Sequence, residues 1–369
     1  MIPVNEPLIS DTEFRHVAEC LKSGWISSTG KFVEEFERGW AEYCGLKYGV
    51  AVSSGTAALQ VAIGCLDLEQ GDEVIMPTFT IISCALAVIY NGGKPILVDA
   101  DSRTWTMDVS QIEARIGRRT RAIMPVHIYG HPCNMEPIQK LAGTNDLVII
   151  EDAAEAHGAE HNGKKCGSLG DIGCFSFYAN KIVTTGEGGM LLTNNAEYAE
   201  KARALRNLCF RQDRRFYHTE MGHNFRLTNL QAAIGVAQLE RIDELVEKKR
   251  WIAHNYNERL RDVRGLTLPV EEPWAKNVYW MYGVVLDQDV SMDAAEFARR
   301  LREQGVDTRP FFLGMHEQPV FHKMGLFKNQ TYPVSERIAR RGLYLPSGLT
   351  LAEDQIGRVS EAVKKALVI

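Results

Sequence analysis

The chain has 369 residues, 45% hydrophobic and 24% charged, which is enough for two or three domains around a large core. Its 42 basic and 47 acidic residues give a formal charge of −5, which excludes a broad electrostatic footprint for nucleic-acid phosphates. The eight cysteines form no CxxC pair in a chain too long to need disulfide staples, so they read as reduced thiols of a cytoplasmic protein.

The opening MIPVNEPLISDTE has no basic segment followed by an apolar run and a cleavage site, so no secretory signal is expected. Short β-rich runs then follow one another: YGVAVSS from Tyr48, DEVIMP from Asp72, KPILVDA from Lys94, RAIMPVHIYG from Arg121, LVIIEDAA from Leu147, GCFSFYA from Gly173 and GGMLLTN from Gly188. The most apolar stretch, Val74 to Tyr90, is broken by Pro77, Thr78, Thr80 and Ser83, and reads as a strand entering a buried helix rather than a membrane span. Several runs are continuously apolar, as strands covered on both faces are, and helical spacing lies between them in GTAALQVAIGCL, PIQKLAGTN and AEYAEKARALRNL. The fold class is therefore α/β, a mostly parallel sheet between helices, with chemistry gathered at the carboxyl ends of strands. After Asn224 the apolar spacing predicts one long helix bridging two domains, followed by VYWMYGVVL, AAEFARRLREQG and a closing helix from Leu351 as a smaller α+β domain. The expected division is 1–240 and 241–369.

Three segments could carry chemistry. In Ser53-Ser54-Gly55-Thr56-Ala57-Ala58 a strand ends, Gly55 permits a tight turn and a helix begins, which suits a phosphate but is equally an ordinary helix cap. In Glu151-Asp152-Ala153-Ala154-Glu155 an acid ends a buried strand, a position that demands a cationic partner or hydrogen-bond donors. The pairs His127/His131 and His157/His161 have i, i+4 spacing, but Gly130 and Gly158 interrupt the helix such a metal pair needs, so no metal is expected. In Ser176-Phe177-Tyr178-Ala179-Asn180-Lys181 a lysine stands between an apolar strand and a glycine-rich turn, where its amine can become a nucleophile able to form a Schiff base. Taken together, the three match the needs of pyridoxal 5'-phosphate: donors for its phosphate, an acid for its pyridine nitrogen and an amine for its aldehyde.

The ordered segments GWISSTGKFVEEFE, SSGTAAL, GDEVIMPTFT, MPVHIYGHPCNM, EDAAEAHGA, GSLGDIGCFSFYANKIVTTGEGGM, NFRLTNLQAAIGVAQLER and RPFFLGMH resemble, over nearly the whole chain, the fold-type-I, DegT-like aminotransferases of nucleotide-linked keto sugars. The resemblance implies a three-layer α/β/α large domain and a smaller C-terminal α+β domain. It also implies that Lys181 is the Schiff-base lysine, that Asp152 partners the pyridine nitrogen, and that Gly55, Thr56, Ala57 and Ser176 cradle the phosphate. Asn224 matches an asparagine that reaches the phosphate from the neighbouring subunit of a homodimer with shared active sites. Two positions depart from the commonest pattern. Glu155 replaces a Gln beside the cofactor's phenolic oxygen, so its pKa is expected to rise. Ile81 replaces an aromatic over the cofactor ring, leaving Ile81 or Phe79 to cover it.

The reaction implied is transfer of the amino group of L-glutamate, and Lys181 argues against the family's dehydratases, which carry histidine there. The wording of WISS, of EDAAEAHGA with its Glu and of Trp280 to Tyr282 resembles members that aminate C4 of GDP-4-keto-6-deoxymannose for surface polysaccharide. A UDP- or dTDP-linked keto sugar is the alternative, and from another class a noncatalytic cofactor-binding regulator. Expected substrate contacts are Trp25 and Ser27 in the N-terminal loop, Glu155, Arg309 and His316. Arg211, Arg214 and Arg215 could form a basic loop near a diphosphate, or a solvated one.

Overall fold

Five strands, β1 (Tyr48–Val52), β2 (Glu73–Pro77), β3 (Lys94–Val98), β4 (Thr120–Ile123) and β5 (Val148–Asp152), precede a hairpin of β6 (Glu160–His161) and β7 (Lys164–Lys165), then β8 (Ile172–Ser176) and β9 (Gly189–Thr193). In the computed structural model, which describes residues 1–211, 213, 214 and 216–367, all but the hairpin join one sheet in the order β1-β9-β8-β5-β4-β2-β3. β9 alone runs against the rest, antiparallel to both β1 and β8. The seven β-rich runs of the sequence are these strands, and the apolar ones are buried on both faces, as Val50, Ile75 and Ile150 illustrate.

Helices α1 (Asp11–Ser23), α2 (Lys31–Cys44), α3 (Gly55–Gly64), α4 (Ser83–Tyr90), α5 (Met135–Asn145) and α6 (Ala196–Arg206) surround this sheet. Ser10 and Glu13 form a capping box that fixes the start of α1. The single bridging helix expected from the sequence is two, α7 (Asn229–Leu239) and α8 (Ile242–Leu260). Small residues let α7 lie close on α2, and a Cβ at Gly235 would stand 2.7 Å from the Phe36 ring. α8 must instead reach a second core, so the chain turns at Glu240 and Arg241 and each helix serves its own packing face.

That second core holds Ile252, Tyr256 and Leu260 of α8 against a small antiparallel sheet ordered β10-β12-β14-β13. Its strands are β10 (Leu266–Thr267), β12 (Tyr282–Leu286), β13 (Arg309–Pro310) and β14 (Gly342–Leu345), while β11 (Ala275–Lys276) crosses back to pair with β6. Helices α9 (Ala294–Glu303), α10 (Pro319–Lys323), α11 (Pro333–Arg341) and α12 (Glu353–Leu367) complete the chain. Within α8, Leu245 and Val246 belong to the larger core and Ile252 to the second, so we propose a division inside α8 rather than at 240. Ile2 also packs in the second core; its N–H donates to Gly305 O at 2.7 Å, and Ser347 N–H donates to Val4 O at 2.9 Å. We therefore propose that the chain's first residues belong with the smaller domain.

Beneath the carboxyl end of β5, fully buried Glu151 accepts N–H groups from Gly167 (2.7 Å), Leu169 (2.6 Å) and Gly170 (2.6 Å) and meets His127 Nε2 at 2.9 Å. Glu151→Ala leaves all four groups buried without their acceptor, so we expect it to lower the unfolding free energy by about 3–5 kcal/mol, read from denaturant midpoints.

Candidate active site

Ser54 just past β1, Asp152 at the end of β5 and Ser176 at the end of β8 face one cleft of about 380 Å³, at the strand ends where an α/β sheet places its ligands. Trp280, Phe312 and Tyr344, all from the second half of the chain, form its roof. The site therefore needs residues from both halves of the chain.

Asp152 is buried, and its carboxylate accepts the Cys84 S–H at 3.0 Å and the Ala154 N–H at 3.1 Å. Burial, reinforced by Asp152, holds the Cys84 thiol well above its usual pKa, so it stays protonated as a donor. Among the described residues no cation stands within ion-pair distance of Asp152. A desolvated carboxylate facing a cleft without a counter-charge is the arrangement that a ligand's protonated ring nitrogen completes.

Lys181 lies at the cleft floor with Nζ 3.5 Å from Glu155 Oε1 and 3.6 Å from the centroid of the Trp280 ring. Burial draws its pKa below the usual 10.5, while Glu155 and Asp152 oppose the shift. An amine so placed is a better nucleophile at neutral pH than a solvated lysine. Glu155 Oε2 accepts the Tyr129 N–H at 2.7 Å, from a residue whose φ of 53° is unusual for a side-chain-bearing position. Burial pushes the Glu155 carboxyl up to about 6, with Lys181 and the Tyr129 N–H pulling the other way. The expected rise is present, with a cause the sequence did not disclose.

The N-terminus of α3 offers the features of a phosphate cradle. Ser54 caps it by accepting the Ala57 N–H at 3.1 Å, so of the three expected backbone donors Ala57 is already engaged, and Gly55 and Thr56 keep theirs for a ligand. A Cβ on Gly55 would lie 2.6 Å from Ser176 Cβ, so only glycine lets the helix start approach Ser176 this closely. Hydroxyls of Thr56 and Ser83, 2.8 Å apart, add polar groups beside it. Helix dipole, free N–H groups and hydroxyls suit a phosphate dianion. Cradle, strand-end carboxylate and amine thus fit pyridoxal phosphate.

The other expected residues separate. Ile81 lines the cleft, whereas Phe79 is buried behind it against Tyr129, Phe311 and Phe312. His316 does not line this cleft: it is buried, with Nδ1 2.8 Å from Thr78 Oγ1 and Nε2 3.1 Å from Glu336. Both ring nitrogens are engaged, so the residue rivets α11 to the turn after β2. Arg309 is exposed outside the cleft and bonds Asp307 at 2.8 Å, although its charge still reaches Tyr344. Trp25 and Ser27 also lie outside this cleft, in a loop pinned by Asn229, whose Nδ2 donates to Trp25 O at 2.7 Å and whose N–H donates to Ser27 O at 2.5 Å. Asn224 is exposed and accepts from Arg226 at 2.9 Å, again away from the cleft of its own chain. Arg211 pairs with Asp213, and Arg215 lies outside the described residues. The four histidines do not converge: His127 bonds Glu151, His131 bonds Pro132 O, His157 accepts from Val183 N–H, and His161 packs on Trp274. Reasoning from sequence missed Tyr129, Cys84, Phe312 and Tyr344: Tyr129 and Phe312 lie within motif segments but were not singled out, and Cys84 and Tyr344 stand in no motif that points to a site.

The chain is 42% identical, over all of its length and 98% of the relative's, to a GDP-perosamine synthase of Caulobacter vibrioides. It is 39% identical over 99% of its length, and 98% of the relative's, to a GDP-perosamine synthase of Escherichia coli O157:H7. Among solved structures the aminotransferase TlmJ from Streptoalloteichus hindustanus superposes with a TM-score of 0.93 at 31% identity, covering 100% of this chain and 99% of that one. Residues 7–364 match the DegT/DnrJ/EryC1/StrS aminotransferase family. With a lysine, a buried strand-end acid and a helix N-terminus suited to phosphate in one cleft, the chain belongs to that family and is a pyridoxal-phosphate-dependent sugar aminotransferase.

Proposed function

We propose that this enzyme transfers the amino group of L-glutamate to C4 of GDP-4-keto-6-deoxy-D-mannose, giving GDP-perosamine for surface polysaccharide. The observation that carries this reading is full-length identity of 42% to a relative of that specificity, in a chain that keeps the amine of Lys181 in its cleft.

Gly55, Thr56 and Ser176 would hold the cofactor phosphate, Asp152 its ring nitrogen, and Lys181 its reactive carbon. When bound, the cofactor supplies the electron sink that lets a proton leave the amine-bearing carbon. The chain's own part is to bind, orient and move protons. Lys181 Nζ, once free, takes the proton from the donor carbon and returns it on the other side of the exchange. Glu155, Ile81 and the aromatic roof exclude water. Glu155 is held by the Tyr129 N–H, which leaves its other oxygen turned to Lys181.

Asn224, Trp25 and Ser27 lie outside their own cleft, and large apolar side chains are exposed along Phe14, Leu21, Trp25 and Ile26. These support a homodimer in which each chain completes its partner's site; sedimentation should give twice the 41.4 kDa chain mass. No described helix is long and apolar enough to cross a membrane, and buried free thiols support a cytoplasmic location.

The deciding experiment incubates the enzyme with glutamate and GDP-, UDP- or dTDP-linked 4-keto-6-deoxy sugars, with mass spectrometry of the products. Amination of the GDP sugar is expected; amination of a UDP or dTDP sugar alone would replace the assignment.

Glu155 also leaves a pH signature. Its folded value of about 6 lies above the ordinary 4.5, so the folded chain binds the extra proton and stability falls as pH rises through that interval. The wild type should lose about 2 kcal/mol across it relative to Glu155→Gln. Denaturant midpoints of the cofactor-free proteins, from about pH 4 to about pH 7, would measure the difference, and parallel curves would refute it.

A further inference from the structure

Trp280 stands in the roof with no role so far beyond excluding water, yet three contacts converge on it. Its ring face covers Lys181 Nζ at 3.6 Å to the centroid. Its Nε1–H donates at 2.8 Å to the carbonyl of Asn180, the residue before Lys181. Its own carbonyl accepts from Lys249 Nζ at 2.7 Å, and the same ammonium donates to Ser347 O at 2.5 Å.

Lys249 is itself unusual. It is 1% exposed on α8, and among the described residues it has no carboxylate within ion-pair distance. Burying a cation against carbonyls alone is costly, and burial draws its pKa down to about 7. The arrangement ties together the residue entering β12 and the residue following β14, at the point where α8 crosses between the cores. From the other side β11 pairs with β6, and Val278 N–H donates to Gly130 O at 3.2 Å. The segment that carries Trp280 is thus clamped on both domains.

We propose that Trp280 is a further catalytic residue, whose ring face receives the positive charge on the Lys181 nitrogen, and that Lys249 is the positioning residue that sets the height of that ring. The proposal rests on the amino-transfer reading above. The charged groups facing Lys181 are Glu155 and Asp152, both carboxylates, while buried His157 is held neutral. Trp280 supplies the remaining face, where a cation over an indole, shielded from water, is strongly favoured. Each time Lys181 is released during turnover its ammonium has a defined resting place between a carboxylate and an aromatic ring.

The visible absorbance of the holoenzyme reports the charge on the Lys181 nitrogen, so its pH titration tests this without turnover. Trp280→Leu should lower the midpoint by about one pH unit, a tenfold loss of proton affinity. Trp280→Phe, which keeps a ring face, should lose less than half of that. Lys249→Met, which keeps the stem and removes the donors, should shift the midpoint in the same direction and lower kcat about tenfold, with KM for the nucleotide sugar unchanged. If Trp280→Leu does not hold the cofactor, the Phe and Met variants decide. Wild-type midpoints in the cofactor-loaded variants would overturn the proposal, as would equal shifts from Phe and Leu. A wild type that takes up no cofactor or aminates no sugar would overturn the function on which it rests.

Discussion

Lys181→Ala should give a folded, colourless protein whose amino transfer is at least about 10³-fold slower, because one nitrogen serves both as the cofactor's attachment and as the proton carrier. No other side-chain amine lines the cleft among the described residues, so nothing nearby can take over. The fold should survive, since the substitution removes a buried charge that the structure stabilises only through Glu155 and the Trp280 ring. Single-turnover absorbance with glutamate measures the loss, and unfolding in denaturant measures the fold. Activity within tenfold of wild type would remove Lys181 from the mechanism.

Asp152→Asn should act with opposite signs on two observables. A neutral amide cannot hold a protonated ring nitrogen, so kcat should fall about 10²- to 10³-fold, the usual effect of removing one aimed electrostatic group from a buried site. The cofactor-free protein should meanwhile become more stable by about 1–3 kcal/mol, because the substitution removes a desolvated carboxylate whose partners are the Cys84 thiol and the Ala154 N–H. Calorimetry with and without pyridoxal phosphate separates the two effects. A variant that keeps its activity and gains no stability without the cofactor would show that Asp152 is an ordinary structural acid.

Much of this site was legible because its parts sit where strands end. An apolar run gives the strand, its end faces the cleft, and a residue type that is costly to bury there announces a function, as Asp152 does after LVIIE; Ser176 after GCF was named by the family resemblance. Lys181 and the cradle followed from the same logic, with the ordered motifs supplying confidence that no single one carries. Residues that reach the site from other domains leave no such trace. Tyr344 and Phe312 are ordinary apolar residues of a small sheet and its preceding loop, and only the packing of that sheet over the cleft makes them a roof. His316 shows the converse: a polar residue in a motif can be held outside the cleft by structural partners, here Thr78 and Glu336. The division of α7 from α8 was hidden because both halves keep helical spacing, and what breaks the helix is the need to pack on two cores.

The return of Ile2 to the second core, and of Val4 to a hydrogen bond with Ser347, has a consequence for the order of synthesis. Their partners Gly305 and Ser347 leave the ribosome hundreds of residues later, so on the division proposed above the smaller domain is a discontinuous unit whose first piece must wait for its last. The larger sheet can close as soon as β9 is made, but without the later segments its cleft has no roof and Lys181 has no aromatic cover. A nascent or C-terminally shortened chain would therefore present an open, wet cradle, and competence to load cofactor becomes a property acquired only near the completion of the polypeptide.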